Sequence, residues 1–175
     1  MRKANYDKFP STKLTGMLVQ GWDSIISMLK EKMDARKVLA VDLYTGVYEE
    51  EVLDAFSKEF SGRVMNVRDL MKPEKEIQAL TERFMTEDVL FGYVTNLKLE
   101  DYLDVDKVAA ARKQISEAKE TIVIIGTGAA VVAPQDAMVV YADMARWEIQ
   151  QRFRRHEVKA LGIDTVSYTH LRAHE

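Results

Sequence analysis

Cysteine is absent from the 175 residues of this chain, which also holds only three histidines and three prolines. The lack of cysteine excludes disulfides, thiolate zinc sites and a cysteine nucleophile, and it is compatible with a reducing compartment. Two of the histidines, His170 and His174, lie near the carboxyl terminus, which leaves His156 as the one histidine within the periodic part of the sequence. No metal cluster and no serine-histidine-aspartate triad can be built around it. The sequence therefore predicts no metal ligand and no catalytic residue.

Long apolar runs are also missing. Residues 1–8 carry charge without the apolar stretch that a signal peptide needs, and no segment approaches the length of a membrane span. The net charge of -3 and pI near 5.7 provide no general attraction for nucleic acid or an acidic membrane surface. We therefore expect a cytoplasmic protein with neither nucleic acid nor membrane as a partner.

The residues that are present favour a folded core, since 47% are apolar and 30% charged. Short apolar runs rich in β-branched residues alternate with segments of helical periodicity, which predicts an α/β fold with a mainly parallel sheet flanked by helices. The predicted strands are 38–41, 63–67, 89–94, 121–125 and 138–141, and the predicted helices lie within 22–33, 49–60, 74–84, 104–118 and 144–156.

Three segments are expected along the chain. Residues 1–21 form an irregular arm, and residues 22–164 form one α/β domain that we expect to be a fragment of a longer protein. Residues 165–175 continue no periodic pattern and resemble a translated sequencing adapter, so they are interpreted as a non-native tail.

The turn after the first strand, residues 42–47, stands where ligands bind in parallel sheets. A phosphate-binding loop there would need several glycines and a lysine next to serine or threonine, none of which is present as a set. The three glutamates at 49–51 would also repel a polyphosphate. The interpretations left open are a tight turn between strand and helix and a ligand contact through Thr45 and Gly46.

A second candidate follows the clearest strand. Gly126, Thr127 and Gly128 begin a dinucleotide fingerprint, in which glycine lets the backbone approach a pyrophosphate at the start of the next helix. Pro134 leaves little room for that helix. The alternatives are a cofactor loop and a glycine turn that returns the chain to the next strand.

The end of the last predicted helix is basic. Arg152 and Arg155 could fork around the phosphate of a small ligand. Equally, positive side chains near a helix carboxyl terminus are stabilising by themselves and usually solvated.

Three stretches carry a family resemblance: 5–10 (NYDKFP), 41–53 (VDLYTGVYEEEVL) and 141–153 (YADMARWEIQQRF). They resemble the N-terminal region of long bacterial class I mannose-6-phosphate isomerases of the Bacteroides type, over residues 1–162. The resemblance implies a domain like a P-loop kinase with a degenerate phosphate loop, followed in the parent protein by a cupin barrel. It also implies that the parent interconverts mannose 6-phosphate and fructose 6-phosphate with zinc in that barrel.

No metal ligand or catalytic residue of the barrel has a matching position in this chain, so no cofactor is expected in this fragment. The expected partners are the cupin domain of the same chain and a phosphorylated small molecule. Two other classes of function remain open, a small-molecule kinase or nucleotide-binding module and a dinucleotide-dependent oxidoreductase.

Overall fold

The computed structural model of the chain describes residues 10–13, 15–33, 35–87 and 92–163. Helices and strands alternate along most of this part. In chain order the elements are α1 (Trp22–Met33), β1 (Val38–Leu43), α2 (Glu49–Glu59), β2 (Arg63–Asn66), a 3₁₀ helix (Val67–Leu70), α3 (Glu74–Glu82), α4 (Leu99–Tyr102), α5 (Val105–Glu117), β3 (Ile122–Gly126), α6 (Ala129–Val132), β4 (Met138–Ala142) and α7 (Arg146–Arg154).

The four strands form one parallel sheet in the order β2-β3-β1-β4. All five residues of β3 are buried, as expected of a strand that is covered on both faces. The predicted α/β fold with a parallel sheet is confirmed. Because the strands are parallel, the carboxyl ends of β1, β2 and β3 lie together at one edge of the sheet.

Two apolar clusters cover the two faces of the sheet. Helices α1 and α2 pack on one face around Phe56, which stacks on Phe60 and meets the Trp22 ring edge-on. Helices α3, α4, α5 and α6 supply the cluster on the other face, together with Ala160 and Ile163 from the segment after α7. That segment is thereby tied to the core rather than left at the surface.

Local sequence explains where the helices begin. The Asp104 carboxylate caps α5 by accepting hydrogen bonds from the amides of Asp106 and Lys107, both at 3.0 Å. Helix α3 begins directly after Pro73, whose missing amide costs nothing in the first turn. Helix α2 has no side-chain cap, and its first turn carries three glutamates that favour the positive end of the helix dipole.

Several observed boundaries differ from the predicted ones. Strand β1 continues through Asp42 to Leu43, and β2 ends at Asn66, whose side chain caps the 3₁₀ helix through the Arg68 amide. Helix α7 is shorter than predicted at both ends. Of the predicted strand 89–94, residues 89–91 lie outside the described residues and 92–94 have no regular structure.

Within the described ranges, no helix has both the length and the apolar character that crossing a bilayer requires.

Candidate functional site

A cleft of about 530 Å³ opens at the carboxyl ends of β1, β2 and β3. We call it the carboxyl-edge cleft. The turn after β1 and the first turn of α2 form one side, and the segment 157–162 forms the other. Ligands of parallel α/β proteins bind at this edge of the sheet, so the cleft is the primary candidate for a binding site.

The polar groups of the carboxyl-edge cleft are mixed in charge. Glutamates 49–51 come from the first turn of α2, while Arg68 and Lys159 stand among the lining residues as cations. Both cations also make interactions within the protein. Neutral hydrogen-bonding groups come from the carboxyl ends of three strands or the turns after them: Thr45, Asn66 and Thr127. This set suits a ligand that carries several hydroxyl groups, since each such group can both donate and accept hydrogen bonds.

Glu49 contributes a buried carboxylate oxygen that needs a hydrogen-bond donor. Its Oε1 atom is buried and has no hydrogen-bond partner in the described part of the chain. An unpaired buried acceptor costs free energy, which a donor from a ligand or a water molecule would recover. These carboxylates therefore favour the hydroxyl or ammonium groups of a ligand over its phosphate groups as their neighbours.

The glycine turn after β3 is held by a carboxylate of the protein itself. Asp42 Oδ1 accepts a hydrogen bond from the Gly128 amide at 2.9 Å, and Asp42 Oδ2 accepts one from the Ala130 amide at 3.1 Å. These amides begin α6, which is a single turn of four residues. A pyrophosphate bound in the usual way would need the same amides.

The two glycines share a positive φ and differ in what an added side chain would meet. Gly126 has φ +135° and its α-carbon lies so close to the Val67 side chain that an added Cβ would stand 2.9 Å from Val67 Cβ. Gly128 has φ +89° and open space around it. At Gly126 the glycine therefore permits close packing of the 3₁₀ helix against the end of β3.

The basic end of α7 is paired within the protein. Arg152 lies over the Tyr48 ring, 3.6 Å from its centroid, and its Nη1 donates to the Gly46 carbonyl at 2.9 Å. Arg155 donates to Glu148 at 3.1 Å and to Glu157 at 2.7 and 2.9 Å. We call these five side chains the arginine cluster: Tyr48, Glu148, Arg152, Arg155 and Glu157. Its contacts fasten α7 to the turn after β1.

The arginine cluster also positions the segment 157–162, which lines the carboxyl-edge cleft. Glu157 lines the cleft, and its carboxylate accepts a 2.7 Å hydrogen bond from the Tyr48 hydroxyl. The chain reverses just before it at His156, whose φ of +57° is uncommon for a residue with a side chain. The cluster thus links the turn after β1 to the segment 157–162.

This pairing predicts a pH dependence of stability. Hydrogen bonds from Arg155, and then from Tyr48, lower the pKa of Glu157 from 4.5 to about 2. A lowered pKa means that the carboxylate stabilises the fold fully above its unfolded pKa and that this contribution is lost as the pH falls towards 2. We expect the wild-type protein to lose more stability than Glu157→Gln between about pH 5 and about pH 2, as measured by urea unfolding at each pH.

Glu120→Gln serves as the control for this measurement, because Glu120 is exposed and its carboxylate has no partner in the described part of the chain. Its pH dependence should match that of the wild type. Equal slopes for the wild type and Glu157→Gln would contradict the assigned role of Glu157.

The seven site residues predicted from the sequence therefore separate into three places. Thr45, Gly46 and Thr127 line the carboxyl-edge cleft. Gly126 and Gly128 shape the turn that Asp42 holds, and Arg152 and Arg155 belong to the arginine cluster beside the cleft. The structure brings the first three together at one opening.

Sequence reasoning missed several residues of this site. Asn66, Glu49 and Lys159 line the cleft, and Tyr48 and Glu157 connect its walls. The position of Asn66 at the end of a predicted strand was an available signal, since residues after parallel strands meet at one edge. No sequence signal singles out Glu157 or Lys159, which arrive from a segment without periodicity.

A second groove lies at the opposite edge of the sheet, near the start of β1 and β3. Four cationic side chains line it: Lys32, Arg36, Lys37 and Arg112. Two acidic residues, Glu120 and Asp136, line it as well. Its volume of about 1060 Å³ exceeds that of the carboxyl-edge cleft, but its four cations are exposed. It also lies at the amino ends of the strands, where ligands of this architecture do not usually bind.

Among the described residues, no group of three or more histidine, cysteine, aspartate or glutamate side chains is placed to hold a metal ion.

Comparison with known proteins places the chain in one family. No curated protein and no solved structure matches it. Residues 21–173 match a family described as a domain of unknown function, DUF8485, a region that begins just before α1 and ends within the segment 165–175. Since this region covers most of the 175 residues, the chain belongs to the DUF8485 family.

Proposed function

We propose that this chain is a non-catalytic binding domain of a mannose-6-phosphate isomerase, with a kinase-like arrangement whose phosphate loop is degenerate. The catalytic cupin domain with its zinc belongs to another part of the parent protein, which interconverts mannose 6-phosphate and fructose 6-phosphate. The resemblance of residues 41–53 and 141–153 supports this assignment. The absence of cysteine agrees with a cytoplasmic location for the parent.

One observation carries the non-catalytic part of the proposal. The Asp42 carboxylate accepts hydrogen bonds from the Gly128 and Ala130 amides, so an anion of the protein stands where a phosphate would bind. The other candidate phosphate loop, 42–47, leads into three glutamates and contains no lysine. Phosphoryl transfer needs cationic groups to stabilise the charge that spreads over the transferred oxygens. Neither turn offers them.

The first experiment sequences the natural reading frame beyond residue 163 from source DNA. The full-length protein that this frame encodes and the 175-residue chain are then each assayed for isomerisation of mannose 6-phosphate. We expect the frame to continue into a cupin barrel, the full-length protein to be active with zinc, and the 175-residue chain to be inactive. Isomerase activity of the 175-residue chain itself would contradict the non-catalytic role. A natural frame that stops near residue 163 would contradict the isomerase assignment.

A second candidate function is a small-molecule kinase-like or nucleotide-binding module. The placement of Thr45, Gly46 and Thr127 on one cleft at the carboxyl edge favours it. Calorimetry with magnesium ATP, and separately with mannose 6-phosphate, distinguishes the two candidates. Heat of binding with ATP supports the nucleotide module, whereas binding of the sugar phosphate alone supports the isomerase domain. A fluorescence change with NAD or NADP would instead revive the oxidoreductase hypothesis.

Two hydroxyl groups should decide the affinity of the carboxyl-edge cleft. Thr45→Val and Thr127→Val keep side-chain shape and remove one hydrogen-bonding group each. We expect each variant to weaken binding of mannose 6-phosphate by about fivefold, since one hydrogen bond contributes about 1 kcal/mol. Thr12→Val is the control, because Thr12 is exposed and outside the cleft. Equal affinities for all four proteins in calorimetry would exclude the cleft as the site.

A further inference from the structure

Strand β4 is one of the two outer strands of the sheet, with β2 at the other side, and it pairs with β1 alone among the described strands. Its five residues are Met-Val-Val-Tyr-Ala, with no charge, proline or glycine. Proteins commonly protect an outer strand with charged residues, proline or a bulge, because its free amides and carbonyls can pair with another chain. The sequence of β4 contains neither a charge nor a proline.

The side chains of β4 separate into two faces. Met138, Val140 and Ala142 are partly buried against the apolar cluster of α1 and α2. On the opposite face Val139 is 54% exposed and Tyr141 is 58% exposed. Tyr44 extends this apolar surface, since it is 43% exposed and its ring meets the Tyr141 ring edge-on with centroids 6.4 Å apart.

We propose that β4 is a self-association surface, on which a second copy of this chain adds its own β4 in antiparallel orientation and the two sheets join into one of eight strands. The two-fold axis passes through Val140. Val139 of each copy then stands opposite Tyr141 of the other, which is a favourable aromatic and β-branched pair. The inference goes beyond the proposed function and does not depend on it.

Self-complementary pairing favours a second copy as the occupant in this register, because Val139 meets Tyr141 on both sides of the two-fold axis. The residues that flank β4 include Asp136 and Asp143. About an axis at Val140, Asp136 stands opposite Met144 and Asp143 opposite Ala137, so no like charges are directly opposed. A closed two-fold contact of this kind uses the same surface on both copies, so that each β4 is paired with the β4 of the other copy.

Sedimentation equilibrium of the full 175-residue chain tests the proposal. We expect a monomer and dimer equilibrium that Val139→Lys and Tyr141→Lys each weaken by about tenfold or more, because each substitution acts twice in a symmetric dimer. Val105→Lys is the control, since Val105 is an exposed valine at the start of α5, away from β4. A monomer throughout the concentration range, or equal weakening by the control, would overturn the proposal.

Disulfide cross-linking tests the register. Because the chain contains no cysteine, an introduced cysteine can pair only with its copy in another molecule. Opposed residues of antiparallel strands have α-carbons about 4.5–5.5 Å apart, within the range that a disulfide spans. Val140→Cys should therefore form a disulfide dimer under mild oxidation. Val139→Cys should not, because its two copies would be diagonal neighbours at about 7–8 Å. Efficient cross-linking of Val139→Cys, or none with Val140→Cys in a variant that unfolds like the wild type, would overturn the proposed register.

Discussion

Replacing Asp42 with alanine is expected to lower the free energy of unfolding by about 2–4 kcal/mol, since two hydrogen bonds to a charged group are lost and two amides lose their acceptor. The carboxylate joins the end of β1 to the turn after β3 through Gly128 and Ala130. Asp42→Asn should fall between the wild type and alanine, because an amide side chain offers only one acceptor oxygen. Urea unfolding measures the differences in free energy of unfolding among these proteins, provided that the slope of that free energy against urea concentration is the same for each.

The control for this prediction is Asp136→Ala. Asp136 is exposed and its carboxylate has no partner in the described part of the chain, so its removal should change stability by no more than about 0.5 kcal/mol. If Asp42→Ala proves as stable as Asp136→Ala, the Asp42 carboxylate neither holds the turn nor excludes a phosphate from it.

Gly46→Ala is expected to have the second large effect, about 2–4 kcal/mol of destabilisation together with weaker binding in the carboxyl-edge cleft. Gly46 has φ +95°, and an added Cβ would stand 2.9 Å from Ile149 Cγ2. The substitution would push α7 away from the turn after β1 and disturb the hydrogen bond from Arg152 to the Gly46 carbonyl. Thermal unfolding and calorimetry measure the two effects.

A matched pair of variants separates backbone strain from steric overlap at this turn. Gly128 has a similar φ of +89° but nothing within 4 Å of an added Cβ, so Gly128→Ala should cost only the conformational part, about 1–2 kcal/mol. Adding Ile149→Ala to Gly46→Ala should recover part of the loss, and the double-mutant cycle measures that coupling. Strictly additive effects would mean that the Ile149 contact is not the cause.

Part of the candidate site could be foreseen from local sequence. Thr45, Gly46 and Thr127 were predicted because they follow apolar strands, and parallel strands bring their carboxyl ends to one edge. The structure places all three on the carboxyl-edge cleft. This inference needs only the order of strands and helices, which hydrophobic periodicity reports well when strands are fully buried, as β3 is.

Arg152 and Arg155 show where local reasoning stops. Their clustering at the end of a helix is equally consistent with a ligand site and with solvation. Arg152 donates to a carbonyl 106 positions earlier in the chain and covers the ring of Tyr48. No pattern near Arg152 in the sequence reports a partner at that distance.

Composition and periodicity alone determined that this chain forms an α/β domain, which turns stand at the ends of its strands, and that cysteine chemistry is excluded. Only the tertiary structure decided how those turns are used. The Asp42 carboxylate binds amides 86 and 88 positions away, and β4 is one of the two outer strands of the sheet. The physical reason is that hydrophobic periodicity records which side of an element is buried, whereas hydrogen bonds between turns and the order of strands depend on distances that only folding sets.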